Sequence, residues 1–330
     1  MERPMSQSFA TDIVILGSGP AGYTAAIYAA RAGRRPILVT GLQSGGQLTT
    51  TTEVENYPGF ADPIDGTWLV EQMQAQAERV GARIVFDHVV EVDASQRPFR
   101  LSGDSGNTYE CEALIYATGA QAKWLDLPSV EHYRGFGVSA CATCDGFFFR
   151  DREVAVIGGG NTAVEEALYL ANIASRVTLV HRRDSFRAEQ VLVDRLKANP
   201  KIVLKTNAVV AEVVGTEDPT SVTGITIADV ATGVLESIPV DGVFIAIGHS
   251  PASGLIRDQV ALHADGYVKT RPGSTQTSVP GLFAAGDVAD RDFRQAVTAA
   301  GFGCMAALEA DRFLQSAATE KPPALAIDAA

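Results

Sequence analysis

The chain has 330 residues, 46% of them hydrophobic and 20% charged, a composition typical of a globular protein with room for two domains. Its net charge of −12 argues against nucleic acid or an anionic membrane surface as a partner. No apolar run approaches the about 18 residues that a transmembrane helix needs. The first residues also lack the apolar segment of a secretory signal, so a cytoplasmic location is expected.

The first predicted unit is a strand, a glycine-rich turn, a helix and a second strand. The buried strand 12–16 leads into GSGPAG, which places Gly17, Gly19 and Gly22 at the GxGxxG spacing. In dinucleotide-binding units the first glycine permits a tight turn, the second lets the backbone approach a pyrophosphate, and the third allows close helix packing. An alanine-rich helix and a strand over 36–40 complete the βαβ unit, and the helix start is expected to bind the pyrophosphate.

The end of the second predicted strand lacks the acidic side chain that usually binds ribose. Thr40 and Gly41 stand there instead, so the ribose must be bound by other groups and NAD is disfavoured at this first unit. The polar segment 43–60 is too irregular to predict a regular element, and long loops of this kind are commonly functional. Its amides Gln47 and Asn56 suit the edge of a flat heterocycle, although a solvated connection is an equal alternative.

A helix is predicted over 67–80, followed by short strands in 83–93, 98–103 and 109–119. Their alternation predicts a small antiparallel meander laid against the parallel sheet. The last of these strands ends in Gly119, a further junction between a strand and a turn that suits nucleotide contact.

The segment SACATCDG places Cys141 and Cys144 two residues apart, with Asp145 directly behind them. One helical turn would bring the two sulfurs together for a reversible disulfide, and a thiol near a helix start has a lowered pKa. Half of a zinc site has the same spacing. The zinc alternative needs a second ligand pair, and the single histidines of HRR and GHS do not supply one at a suitable spacing.

A second dinucleotide-binding unit begins directly after the cysteine segment. Strand EVAVIG leads into GGGNTA, where Gly158, Gly160 and Ala163 match the GxGxxA variant. Where an acid usually follows the second strand, the chain has a basic cluster of His181, Arg182, Arg183 and Arg187. Guanidinium groups suit the 2′-phosphate of NADPH, and the alternative is an exposed basic turn without a ligand. NADPH is therefore the predicted nucleotide.

The strands between 202 and 251 predict a second meander, so the chain repeats the order of fingerprint, crossover helix, meander and glycine-terminated strand. One more buried strand ends at Gly286 and Asp287, where an acid suits a ribose-like or ribityl hydroxyl. A helix over 294–314 follows. The predicted fold class is α/β, with two Rossmann-like domains that each combine a parallel sheet, helices and a small antiparallel β-meander.

Together these motifs closely resemble the bacterial low-molecular-weight thioredoxin reductases of the class II pyridine nucleotide-disulfide oxidoreductases. The resemblance runs nearly end to end and is carried by GSGPAG, GGQLTTTTEVENYPGF, ATGA, CATCDGFF, GGGNTAVEEALYL, HRRDSFRAE, AIGHSP, GLFAAGDV and RQAVTAAGFGCMAAL. It implies a homodimer with one FAD per subunit. It also implies a discontinuous FAD-binding domain, 1–119 with 248–330, and an inserted NADPH-binding domain, 120–247, that carries the redox disulfide.

The family pattern further implies which residues bind the two cofactors. The FAD set is Gly17, Ser18, Gly19, Pro20, Ala21, Gly22, Thr40, Gly41, Leu42, Gln43, Ser44, Gly45, Gly46, Gln47, Asn56, Val89, Gly119, Gly286, Asp287, Arg294, Gln295, Ala296 and Val297. The NADPH set is Gly158, Gly160, Asn161, Thr162, His181, Arg182, Arg183 and Arg187, with further contacts from Ile247, Tyr267 and Arg294.

The activity that the resemblance implies is the reduction of thioredoxin disulfide. NADPH reduces FAD, FAD reduces the Cys141–Cys144 disulfide, and the dithiol reduces oxidised thioredoxin. In the family pattern Cys144 faces the flavin, Cys141 attacks the substrate and Asp145 is the candidate acid–base. No metal is expected. The alternatives are a flavoprotein reductase for another small dithiol protein, such as a peroxiredoxin-reducing or glutaredoxin-like system, and a non-catalytic flavin-binding regulatory protein.

The resemblance also bears on how a protein substrate docks. Phe136 stands where relatives often carry a basic residue, which would favour a partner specific to this protein. Phe147 and Phe148 are candidate docking aromatics, with core packing as the alternative.

Overall fold

The computed structural model describes residues 6–50 and 53–320. The chain divides into two compact units: an outer unit, up to Gln121 and from Ser250 onwards, and an inserted unit, Ala122–His249. Each division lies two residues beyond the predicted one, and the cofactor bound by each unit stays a prediction. In the described ranges no helix is long and apolar enough to cross a membrane.

The helices and strands follow in chain order. Up to the first division they are β1 (Ser8–Leu16), α1 (Pro20–Arg31), β2 (Ile37–Val39), α2 (Gly66–Arg79), β3 (Arg83–Val85), β4 (Val89–Asp93), β5 (Phe99–Gly103), β6 (Thr108–Tyr116) and β7 (Ala120–Ala122). The inserted unit contains α3 (Pro128–His132), β8 (Val138–Ser139), α4 (Ala142–Asp145), β9 (Glu153–Ile157), α5 (Asn161–Ala171), β10 (Arg176–His181), α6 (Gln190–Ala198), β11 (Ile202–Thr206), β12 (Ala208–Glu217), β13 (Thr220–Asp229), β14 (Leu235–Pro239) and β15 (Gly242–Ile245). The chain then forms β16 (His249–Pro251), β17 (Leu282–Ala284) and α7 (Ala296–Glu320).

The outer unit is organised around one seven-stranded sheet in the order β3-β2-β1-β6-β5-β4, with β17 also paired to β6. Strands β3, β2, β1, β6 and β17 run parallel. Strands β5 and β4 are antiparallel to their neighbours. The antiparallel strands therefore join the parallel sheet through β6, which belongs to both parts.

Strand β1 separates two hydrophobic cores because successive side chains leave a strand on opposite faces. Ile13 and Ile15 pack in a cluster with apolar residues of α1, α2 and α7. Val14 and Leu16 pack in the other cluster with meander residues such as Phe99. Helices thus cover one face of the parallel strands and the meander covers the other.

The inserted unit repeats this arrangement with a shorter sheet. Its five strands run parallel in the order β11-β10-β9-β15-β8. A separate antiparallel sheet, β12-β13-β14, supplies the meander. Val154 and Val156 pack with residues of α5 and α6, whereas Ala155 and Ile157 pack with the meander. The predicted fold class is confirmed.

Three details of the predicted elements are wrong. Segment 83–93 is not one meander strand, because Arg83–Val85 pairs parallel with β2. The start of the second meander, Ile202–Thr206, likewise pairs parallel with β10. A 3₁₀-helix over Gly46–Thr50 lies in the polar segment predicted to be irregular, whose residues 51 and 52 lie outside the described ranges. Local patterns do not reveal a strand's partner, which is set by packing.

A buried carboxylate ties the meander of the outer unit to the end of β2. Asp87 is 7% exposed and accepts hydrogen bonds from the Tyr109 hydroxyl at 2.5 Å, Asn107 Nδ2 at 3.0 Å and the His88 N–H at 2.9 Å. Burial alone would raise the pKa of Asp87, but these hydrogen bonds prevail and lower it to about 2. The Asp87 carbonyl oxygen also accepts the Gly41 N–H at 3.0 Å.

Asp87→Asn is expected to lower the free energy of unfolding at pH 7 by about 1–3 kcal/mol, because an amide cannot accept all of these donors. The folded pKa of Asp87 lies below its unfolded value, so this stabilisation is complete above about pH 4 and fades as the pH falls towards 2. Urea unfolding at pH 7 and pH 3 measures both effects, with the exposed Asp104→Asn as control. A stability difference that does not shrink at pH 3 would contradict this account of Asp87.

Candidate functional site

The glycine turn of the outer unit is shaped by close backbone contacts. Gly17 has φ of +110°, and a Cβ there would lie 2.3 Å from the Ala117 carbonyl oxygen. A Cβ at Gly22 would lie 1.9 Å from the Gly17 oxygen. A Cβ at Gly19, in contrast, would meet no atom within 4 Å, and α1 begins there without a side-chain cap. The first turn of α1 therefore offers backbone N–H groups, that of Ala21 among them, towards open space, as a pyrophosphate requires; Pro20, at the helix start, has no N–H and leaves no donor unsatisfied there.

A buried hydroxyl holds the loop after β2 against this turn. Ser18 is 2% exposed; its Oγ donates to the Thr40 carbonyl oxygen at 3.0 Å and accepts the Gly45 N–H at 3.0 Å. A Cβ at Gly46 would lie 3.3 Å from the Gly19 Cα, so the loop packs directly on the turn. The structure thus brings together the turn and the predicted residues Thr40, Gly41, Leu42, Gln43, Ser44, Gly45 and Gly46.

Further residues of the predicted FAD set gather through side-chain amides. Nε2 of Gln47 donates to the carbonyl oxygen of Ala120, directly after Gly119. Nδ2 of Asn56 donates to Oε1 of Gln295 at 3.4 Å. The loop after β2 is therefore connected both to the start of β7 and to the residue before α7.

An acidic group stands at the carboxyl end of β17, next to β6. Burial and the nearby charge of Asp290 together raise the pKa of Asp287 to about 7, with the charge of Arg294 opposing the shift. The side chain of Arg294 also contacts Tyr267 through a hydrogen bond. A carboxyl that is partly protonated at neutral pH can donate as well as accept, which suits a hydroxyl ligand. Gly286, directly before Asp287, has φ of +75°.

Sequence reasoning missed Asp290, which is buried and accepts backbone N–H groups of the turn before α7. The signal in the sequence was an aspartate at a turn just before a helix, which is common at such positions. Val89 and Tyr267 are buried and Ile247 is 37% exposed, so only Ile247 of these three presents its side chain openly.

The glycine turn of the inserted unit has the same close approach. A Cβ at Gly158 would lie 2.3 Å from the Ala246 carbonyl oxygen, whereas a Cβ at Gly160 would meet no atom within 4 Å. Helix α5 begins after Gly160 without a side-chain cap, with Asn161 and Thr162 in its first turn. A second helix start with open space beside its backbone N–H groups therefore lies at the carboxyl edge of the inserted sheet, a geometry that suits an anion.

The basic loop after β10 is fastened to this turn. The Arg187 N–H donates to the Gly159 oxygen at 2.8 Å, and the Glu189 N–H donates to Asn161 Oδ1 at 2.9 Å. Arg182, Arg183 and Arg187 are exposed, and no ion pair found among the described residues uses them. Their guanidinium groups are thus available to an anion at this edge.

The His181 side chain packs against the basic loop and helps to hold it in place. The side chain is 6% exposed, its Nε2 lies 3.1 Å from the Ser185 carbonyl oxygen, and its ring stacks on Phe186 at 5.3 Å. A Cβ at Gly159 would lie 2.2 Å from the imidazole, so the ring packs directly on the glycine turn. Burial and the neighbouring arginines lower the pKa of His181, which favours the neutral imidazole.

The cysteines form the expected pair. Cys141 and Cys144 are joined by a disulfide, with Cα atoms 5.3 Å apart, and both residues are partly exposed. The Ser139 hydroxyl accepts the Cys141 N–H at 3.0 Å. Burial raises the pKa of Asp145, and a hydrogen bond with Ser139 opposes the shift. A carboxyl with a raised pKa therefore lies next to the disulfide in the chain.

The other two cysteines are free. Burial raises the pKa of Cys111 to about 12, so this thiol stays protonated and inert. Within the two described ranges, no group of three or more His, Cys, Asp or Glu side chains could hold a metal ion.

Comparisons with known proteins show the family of this chain. Residues 11–303 match the model of the pyridine nucleotide-disulphide oxidoreductase family. The chain is 59% identical over 304 residues to thioredoxin reductase of Rickettsia felis, which covers 92% of this chain and 98% of that relative. It is 56% identical over 317 residues to thioredoxin reductase of Escherichia coli O157:H7, with 94% and 98% covered. It is also 57% identical over 309 residues to a Pseudomonas fluorescens protein named glucosaminate ammonia-lyase, with 92% and 95% covered.

The solved structure of thioredoxin reductase from Giardia duodenalis aligns with a TM-score of 0.89 at 39% identity, covering 93% of this chain and 99% of that chain. The chain therefore belongs to the pyridine nucleotide-disulphide oxidoreductase family, and it is an enzyme. Within this family its similarity to bacterial thioredoxin reductases, predicted from the motifs, is confirmed. Membership implies the use of a flavin and a pyridine nucleotide.

Ser18→Ala is expected to remove both hydrogen bonds between the glycine turn and the loop after β2. Loss of these buried bonds lowers the free energy of unfolding by about 1–3 kcal/mol and weakens flavin retention, because the loop is released from the turn. Thermal unfolding and the flavin absorbance that survives gel filtration measure the two effects. Ser8→Ala, at an exposed position of β1, serves as control, and wild-type flavin retention in Ser18→Ala would contradict this role.

Proposed function

We propose that this chain is a thioredoxin-disulfide reductase, with FAD bound by the outer unit and NADPH bound by the inserted unit. The observation that carries the proposal is the Cys141–Cys144 disulfide, which lies in the same unit as a glycine turn and an exposed basic loop. A dithiol of this kind exchanges readily with a protein disulfide. Thioredoxin reductases at 56–59% identity support the choice of substrate.

The outer unit suits FAD through backbone and small polar groups. The N–H groups at the start of α1 bind the pyrophosphate, and loop 40–46, held by Ser18, surrounds the adenosine end. In this proposal, polar groups of the loop bind the ribose in place of an acid after β2. Asp287 binds a ribityl hydroxyl, and the start of α7 over 294–297 lies at the flavin edge.

The inserted unit suits NADPH through its basic loop. Arg182, Arg183 and Arg187 supply planar donor pairs to the 2′-phosphate, and the start of α5 binds the pyrophosphate. His181 and Asn161 hold that loop in place. Ile247, Tyr267 and Arg294 remain proposed contacts to the rest of the nucleotide.

When bound, the two cofactors supply the electron pair that reduces the disulfide. Reduction breaks the bond between the two Sγ atoms, and two protons are taken up as Cys141 and Cys144 become thiols. The Cys141 thiolate then attacks one sulfur of the substrate disulfide. Attack of the Cys144 thiolate on Cys141 releases the reduced substrate and restores the disulfide. Asp145 holds and returns a proton, a role that its raised pKa favours.

The docking surface for thioredoxin is proposed to be aromatic. Phe136 and Phe147 are each 54% exposed and Phe148 is 41% exposed, and each lies within five residues of a redox cysteine in the sequence. Exposed aromatic side chains of this size are common anchors in protein interfaces. We further propose a homodimer located in the cytoplasm, as the family resemblance implies.

The main test follows NADPH oxidation with and without oxidised thioredoxin. The wild type is expected to turn over rapidly only when thioredoxin is present. Cys141→Ser is expected to reduce this turnover at least about 100-fold, because the attacking sulfur is lost. Cys304→Ser, outside the pair, serves as control. Turnover without a disulfide acceptor, full activity in Cys141→Ser, or faster reduction of a glutaredoxin-like or peroxiredoxin-type acceptor would overturn the choice of substrate.

Replacement of both Arg182 and Arg187 by Gln is expected to raise the KM for NADPH about 10- to 100-fold and to change the KM for NADH less than about threefold. The reason is that only NADPH carries the 2′-phosphate. Steady-state kinetics with each nucleotide measure the ratio. Arg176→Gln is a matched control, since Arg176 is exposed at the opposite end of β10. An equal rise in both KM values would mean that these arginines do not recognise the 2′-phosphate.

A further inference from the structure

One buried carboxylate holds the segment between β17 and α7, and it belongs to neither cofactor set described above. Asp290 is 5% exposed. Its Oδ1 accepts the N–H groups of Asp292 at 3.0 Å and Phe293 at 2.9 Å. Its Oδ2 accepts the Arg294 N–H at 2.9 Å and the Thr298 hydroxyl at 3.4 Å. Three N–H groups of the turn and one hydroxyl of α7 therefore converge on a single side chain.

The same carboxylate fixes an unfavourable backbone conformation. Arg294 has φ of +50°, in the left-handed region that is unfavourable for a residue other than glycine. The Arg294 N–H donates directly to the Asp290 carboxylate. Asp290 therefore stabilises the left-handed conformation of Arg294 and also closes the turn between the two residues. Residues held in this way are frequent at ligand-binding sites.

Asp290 also connects the two segments that are proposed to contact the flavin cofactor, Gly286–Asp287 and the start of α7. Its own N–H donates to the Gly286 oxygen at 3.0 Å, directly before Asp287. On the other side, the Thr298 hydroxyl that bonds Asp290 also accepts the Gln295 N–H at 3.3 Å, at the start of α7. A shift of Asp290 would therefore move Asp287 and the start of α7 relative to each other.

Electrostatic interactions also connect Asp290 and Arg294 with Asp287. The negative charge of Asp290 adds to burial in raising the pKa of Asp287, and the guanidinium of Arg294 acts in the opposite direction. Arg294 in turn donates to the Tyr267 side chain. The hydrogen-bonding state of Asp287 therefore depends on the position and charge of Asp290.

We infer that Asp290 is the positioning residue of the FAD site: it fixes Arg294 and the first turn of α7 relative to Asp287 without being a cofactor ligand. This inference rests on the proposed function, because it requires FAD at the carboxyl ends of β1 and β17.

Helix α7 offers a matched comparison. Glu309 is a partly buried carboxylate on α7, and its hydrogen bonds fasten the helix to the loop at Ser274 and Thr275. Its Oε1 accepts the Ser274 hydroxyl at 2.7 Å, and its Oε2 accepts the N–H and hydroxyl of Thr275 at 2.8 and 2.5 Å. Glu309→Gln therefore weakens the anchoring of α7 away from its first turn.

The test measures release of FAD from the holoenzyme, together with the visible flavin spectrum and the melting temperature, for Asp290→Asn and Glu309→Gln. Asp290→Asn is expected to weaken FAD binding about tenfold and to shift the flavin absorption bands, because the turn loses acceptors and Asp287 loses a neighbouring charge. Glu309→Gln is expected to lower the melting temperature comparably while FAD affinity stays within about twofold of the wild type.

Equal FAD loss in the two variants would mean a merely structural role and would overturn the inference, as would wild-type affinity in Asp290→Asn. A wild type that binds no FAD would contradict the proposed function instead. If Asp290→Asn does not fold, Asp290→Glu decides. It keeps the charge and the acceptors but moves them by one methylene group away from the N–H groups of Asp292, Phe293 and Arg294, and it is expected to weaken FAD binding about threefold. Wild-type FAD affinity in Asp290→Glu would then count against Asp290.

Discussion

Both units depend on the same close contact, in which a backbone carbonyl just after one strand lies so near a glycine after another strand that a side chain would not fit there. A Cβ at Gly17 would lie 2.3 Å from the Ala117 oxygen, and a Cβ at Gly158 would lie 2.3 Å from the Ala246 oxygen. This close approach lets the chain turn directly from a buried strand into a helix. The helix start, with its unbonded N–H groups, then lies at the carboxyl edge of the sheet, where the loops that bind ligands also gather.

The two units use this shared geometry for different purposes. In the outer unit a neutral hydroxyl, Ser18, ties the turn to an uncharged loop, which suits a flavin nucleotide without a 2′-phosphate. In the inserted unit His181 and Asn161 tie the turn to a loop that displays three arginines, which suits a 2′-phosphate. The Cys141–Cys144 disulfide lies in the unit that carries the basic loop, so the redox pair and the proposed NADPH site belong to the same structural unit.

The two dinucleotide-binding turns and the cysteine pair could be predicted from the sequence, because each depends on residues that are close together in the chain. The fingerprints follow from the need for glycine at close contacts, and the pairing of the cysteines follows from the resemblance. The strand partners of Arg83–Val85 and Ile202–Thr206 were not predictable, since a short apolar strand carries no mark of its neighbour. The role of Asp290 was also hidden, because its hydrogen bonds exist only once the turn has formed. The fold was thus easier to predict than the side chains that support the site.

The central claim is that electrons from the nucleotide pass through the flavin to the Cys141–Cys144 disulfide. Anaerobic titration of the oxidised holoenzyme with NADPH measures this directly through the flavin spectrum. Each wild-type chain is expected to take up two electron pairs, one at the flavin and one at the disulfide, whereas a variant with both cysteines replaced by serine is expected to take up one. Uptake of a single pair by the wild type would contradict this claim, because the disulfide would then lie outside the electron path.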